Sequence, residues 1–108
     1  MHYLTIFKRN IMTAIFIAYN QAYYEEIDEL LEKQGVRGFT KWNEITGRGS
    51  ETGEAHYGTH TWPTFNDAML TFVDDDKVDA ILNILHEHDL QTPELGLRAF
   101  SWKIDKTI

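Results

Sequence analysis

Between Gly47 and Pro63 the chain reads GRGSETGEAHYGTHTWP, seventeen residues that hold four of its seven glycines and no Leu, Ile, Val or Met. A segment without aliphatic side chains adds little to a core, and it far exceeds the usual hairpin loop of about 2–5 residues. Loops this long in a small domain are functional or lack structure of their own. The scaffold must therefore come from the two flanking stretches. Each has to supply strands and a helix.

The first flank opens with TAIFIAY at Thr13–Tyr19, a continuous run of β-branched and aromatic residues that predicts a central strand covered on both faces. Asn20 follows as a helix cap. Tyr23, Ile27, Leu30 and Leu31 recur at spacings of three and four, with Glu25, Glu26, Asp28, Glu29 and Glu32 on the other side. Gly35 is placed to stop this helix. Arg37–Ile45 then alternates Phe39, Lys41, Asn43 and Ile45 with Thr40, Trp42 and Glu44, the period of a second strand.

Beyond the glycine-rich segment, Asn66–Val73 predicts a third strand and Asp74–Asp76 supply acidic helix-start chemistry. Val78, Ile81, Leu82 and Leu85 form the apolar stripe of a second helix ending near Asp89, and Gly96–Ile104 closes the chain as a last strand. The order β-α-β-β-α-β predicts an α+β, ferredoxin-like sandwich: a four-stranded antiparallel sheet with two helices on one face. Phe39, Trp42, Phe72, Phe100 and Trp102 make more aromatic surface than one helix layer hides, although some of these rings belong under the helices. A homo-oligomer that buries sheet faces follows.

Composition narrows the function classes. With 108 residues, 17 acidic against 10 basic side chains and a net charge of −7, the chain forms one domain without the clustered positive surface that nucleic acid requires. No cysteine is present, which excludes disulfides, thiolate metal sites and a cysteine nucleophile. Apolar runs such as Ala14–Tyr19 are too short to span a bilayer, and Lys8 and Arg9 follow rather than precede the first apolar stretch, the reverse of a secretory signal. We expect a cytoplasmic protein whose domain spans 12–108, with residues 1–11 as an N-terminal extension and a loop at 46–64.

Several residues carry candidate chemistry. His56 and His60, four apart in the loop and flanked by Glu51 and Glu54, are of the type that ligates zinc, copper or nickel; the alternative is two solvated histidines. Arg48 between Gly47 and Gly49 is suited to clamping a phosphate or carboxylate, with Arg37 and Lys103 as further anion-binding candidates. His86 and His88 point in different directions from the second helix and read as surface residues. The serines are Ser50 and Ser101 only, and no nucleophile, base and orienting group assemble, so catalysis is not expected.

The stretch GVRGFTKWNEITGRGSETGEAHYG, together with MLTFVDDDKVDAIL, resembles the P-II nitrogen-regulatory signalling proteins from the end of their first helix into their long T-loop. The resemblance implies a homotrimer whose sheets line a central core, with small effectors such as ATP or ADP in clefts between subunits. It also implies a T-loop reaching a target protein, a transporter or an enzyme, including a membrane-protein target. By this likeness Gly47, Arg48 and Gly49 lie at the T-loop base; with Glu51, Gly96 and the basic Arg37 and Arg98 they make the expected effector set, and Tyr57, His60 and Trp62 are the expected partner contacts. Glu51 stands where the family has glutamine, and Thr92-Pro93-Glu94-Leu95-Gly96-Leu97-Arg98 replaces the family's T-G-x-x-G-D-G-K phosphate cradle. One glycine cannot form the nest of backbone N–H groups that several can. The related cation-tolerance proteins keep an alternative open, a metal-binding trimer using His56 and His60.

Overall fold

The computed structural model describes residues 11–47 and 65–108. Among these residues four strands and two α-helices follow one another as β1 (Met12–Asn20), α1 (Tyr24–Lys33), β2 (Thr40–Ile45), β3 (Asn66–Asp74), α2 (Val78–Gln91) and β4 (Arg98–Lys103). The strands form one antiparallel sheet in the order β2-β3-β1-β4, the ferredoxin-like arrangement expected from the sequence.

The alternation of side chains across the sheet decides its two faces. On one face Ile15, Ile17 and Tyr19 of β1 and Met69 and Val73 of β3 are buried together with Ile27 and Leu31 of α1 and Ile81 and Leu85 of α2. Phe39 packs against this core, so it is the ring of the aromatic set that belongs under the helices. The opposite face holds Phe16, paired in register with Leu70 and Phe100, and Ala14, paired with Phe72 and Trp102. No helix of the described residues covers it.

Local chemistry fixes where elements stop. Asn20 caps the turn that opens α1, accepting from the Ala22 N–H at 2.9 Å. At the other end Gly35 takes a left-handed φ of 82°, and the Gly35 and Val36 amides close onto Glu32 and Leu31, both at 2.9 Å. This is a Schellman stop, which needs a residue without a Cβ penalty. The acidic run before α2 behaves differently from the cap expected there. Asp74 makes no side-chain capping bond, while the Asp75 carboxylate accepts from Thr13 Oγ1 at 2.6 Å and from Lys103 Nζ. Asp75 thus ties the start of β1 and the end of β4 to the β3–α2 junction.

Strand β2 also departs from expectation. The sequence predicts an even strand over 37–45, whereas the ladder begins at Thr40 and its register shifts between Trp42 and Ile45. One extra residue makes a bulge, with Glu44 at a φ of 53°.

Candidate functional site

The bulge and the residues around it build a cleft. Asp67, on the helix-facing side of β3, is only 3% exposed, and its Oδ1 accepts from the Glu44 N–H at 2.9 Å. Its Oδ2 lies 3.5 Å from Lys41 Nζ, which in turn sits 3.4 Å above the ring centre of Tyr24. A buried carboxylate is retained only with partners, and Lys41 and the Glu44 amide are those partners. Asn20, Gln21, Ala22, Tyr24, Glu25, Lys41, Asn43, Phe65 and Asp67 enclose a cleft of about 490 Å³. It lies where β2 ends and where the chain returns at Phe65, whose carbonyl accepts from the Gln21 amide at 2.9 Å.

Behind this cleft stands an orphan. Tyr19, opposite Asp67 in the β1–β3 register, is fully buried, and its hydroxyl has no hydrogen-bond partner among the described residues. Burial pushes its pKa far above the usual phenol value, and the charge of Asp67 and the neighbouring Tyr24 and Asp28 push it further. An unmet buried hydroxyl costs roughly 1–3 kcal/mol. The nearby Tyr23 hydroxyl is engaged, donating to Glu94 Oε1 at 3.1 Å, and its pKa is raised by desolvation and by this bond.

A smaller cleft of about 150 Å³ lies at the other end of the sheet, lined by Gly35, Arg37, Thr71, Asp74 and Lys77 among others. This placement separates the anion-binding candidates. Arg37 belongs to that far end, beside the residues where β3 finishes. Gly47 follows the last residues of β2, and Arg98 pairs with Ala18 near the end of β1, so these two share the opposite end but on different sheet edges. Arg98 donates to the Leu97 carbonyl at 2.9 Å, and Gly96 takes a left-handed φ of 57° after the Pro93–Leu95 turn. Lys103 pairs with Asp75 and lines neither of these two clefts. Arg48, Gly49, Glu51, His56, Tyr57, His60 and Trp62 lie outside the described residues, and among the described residues no cluster of three His, Asp or Glu stands ready for a metal.

Sequence reasoning treated Lys41 as an alternating strand residue and Asp67 as part of a strand run. The signal that marks them, a carboxylate on the buried side opposite a tyrosine, needs the strand register. His88, a surface residue by its sequence position, is a link: its Nε2 lies 2.6 Å from Glu26 Oε2 and joins the two helices.

The sequence matches the family model for Nitrogen regulatory protein P-II over residues 12–107. The chain belongs to the P-II family. Among curated proteins none matches it. Solved structures agree with the P-II fold. CPII, a nitrogen regulatory PII-like protein from Thiomonas intermedia K12 solved with ADP, AMP and bicarbonate, is 16% identical, with a TM-score of 0.66 over 86% of this chain and 87% of that one. The GlnK–ATP complex of B. subtilis is 22% identical, with a TM-score of 0.62 over 90% and 84%. A DUF3240-family protein from Shewanella baltica OS155 is 14% identical, with a TM-score of 0.67 over 93% and 97%. P-II proteins are signalling regulators, and no helix among the described residues is long and apolar enough to cross a membrane.

Proposed function

We propose that this P-II chain is a non-enzymatic, cytoplasmic signalling protein that acts as a homotrimer. Its open sheet faces meet at the centre, and a small anionic effector binds between subunits. The family match across residues 12–107 carries this reading. The aromatic face supports it, because Trp42, Phe72, Phe100 and Trp102 are 45–59% exposed in the single chain. The separation of Arg37 from Gly47 and Arg98 within one subunit supports a site completed by a neighbouring copy.

Arg37, Gly47, Arg48, Gly49, Glu51, Gly96 and Arg98 form the effector set, and the 46–64 loop, through Tyr57, His60 and Trp62, reaches a transporter or enzyme target. The Thr92–Arg98 segment bears on which effector fits. Its single turn holds a carboxylate, Glu94, fixed by Tyr23, in place of a run of glycine amides. This favours a nucleotide with few phosphates, or a small anion, over a triphosphate; of the similar structures, CPII was solved with ADP, AMP and bicarbonate and GlnK with ATP.

Light scattering after size exclusion, followed by calorimetry with ATP, ADP, AMP and bicarbonate, tests the reading. We expect a mass three times the 12.6 kDa chain and tighter binding of AMP or ADP than of ATP. A monomer that binds none of the four overturns it.

A further inference from the structure

The cleft under the β2 bulge faces the helix layer, and of the proposed effector residues Arg37, Gly47, Gly96 and Arg98 none lines it. Its charged side chains are Lys41, Asp67 and Glu25. Lys41 touches Asp67 only at 3.5 Å, longer than the 2.7–2.9 Å of a charge-assisted hydrogen bond, and its other N–H donors find no acceptor among the described residues. Glu25, an exposed residue, also lines the cleft and has no partner among the described residues.

The charges define the chemistry. One ammonium, Lys41, and two carboxylates, Asp67 and Glu25, line the space. A simple anion meets two repelling carboxylates for each attracting ammonium, and a simple cation must compete with the tethered Lys41 for Asp67. A ligand that carries both signs satisfies each in turn. We propose that this cleft is a second ligand site, for a small zwitterion of the α-amino-acid type, with its carboxylate on Lys41 and its ammonium between Glu25 and Asp67. A space of about 490 Å³ admits such a molecule with room for a side chain.

The Glu44 amide donates to Asp67, so it reports occupancy directly. The full-length protein, labelled with nitrogen-15, is titrated with L-alanine, with propionate and with ethylammonium, while the amides of Gln21, Lys41 and Glu44 are followed. L-Alanine is expected to shift the three amides along one saturable curve. Propionate and ethylammonium, each with half of the recognition, are expected to bind at least about tenfold more weakly. Glu25→Gln, a rim substitution that leaves the core intact, is expected to weaken L-alanine several-fold, and Lys41→Met to abolish the shift. The proposal falls if L-alanine moves none of these amides up to its solubility, if propionate alone reproduces the shift, or if Glu25→Gln binds as the wild type does.

Discussion

At Tyr19 the chain keeps a hydroxyl where phenylalanine would fill the same space. Its ring belongs to the buried core, near Tyr24, Asp28 and Asp67, and the hydroxyl has no partner among the described residues, so replacing it removes an unmet polar group without opening a cavity. Tyr19→Phe is expected to raise stability by about 1 kcal/mol, seen as a higher urea midpoint with an unchanged slope. A loss of stability of that size would mean that the hydroxyl is bonded in solution. Lys41 and Asp67 show why this site escapes a reading of sequence alone. Strand alternation puts both on the side of the sheet that ought to be apolar, and nothing in a linear pattern says that two polar residues 26 positions apart meet there. Arg37 is the converse case: the sequence offers it as an anion-binding candidate beside Arg48, and the direction of β2 places it at the far end of the sheet from Gly47.

The elements themselves were legible where periodicity was strong. The continuous apolar run became β1, the three-and-four spacing of Ile27 and Leu31 became the buried side of α1, and Gly35 stopped that helix for the reason its lack of Cβ suggests. The bulge in β2 was not legible, because the left-handed residue is Glu44 rather than a glycine or asparagine. A left-handed non-glycine residue stores about 1–2 kcal/mol. Glu44→Gly is therefore expected to gain up to about 1 kcal/mol and Glu44→Val to lose about 1–2 kcal/mol, read from paired denaturation curves. Asp75 makes a second element-scale link, and its sign can be followed with pH. The Lys103 hydrogen bond, and then that of Thr13, hold its carboxyl pKa below the usual range. A depressed carboxyl pKa stabilises the fold above the unfolded value, near about 4, and that contribution is lost as pH falls through the folded value. Asp75→Asn should lower the urea midpoint at neutral pH, and the two proteins should converge in acid once the pH falls below the folded pKa of Asp75. A gap that persists in acid would show that shape, not charge, holds the junction.

At the scale of the whole molecule, one face of the sheet is covered by its own helices and the other by no helix among the described residues. The sequence revealed the excess of aromatic rings, but only the strand register sorts them, sending Phe39 to the core and Trp42, Phe72, Phe100 and Trp102 outward. Phe100 pairs with Phe16 across the β1–β4 ladder and is 59% exposed, so a charge placed there changes the open face while leaving the helix-side core untouched. If copies of the chain meet through this face, an ionised carboxylate at position 100 must be desolvated in each of them, a cost of at least about 2 kcal/mol per subunit at a central contact. Phe100→Glu is expected to reduce the mass in solution to that of a single chain at micromolar concentration, with an unchanged far-ultraviolet circular dichroism spectrum. Tryptophan emission should move to the red as Trp42 and Trp102 meet water. A full-sized assembly with Glu at position 100 would place the contact elsewhere. A monomer that has also lost its secondary structure would instead tie folding to assembly, and the milder Phe100→Ala would then separate the two, through a mass that falls with dilution while the spectrum holds.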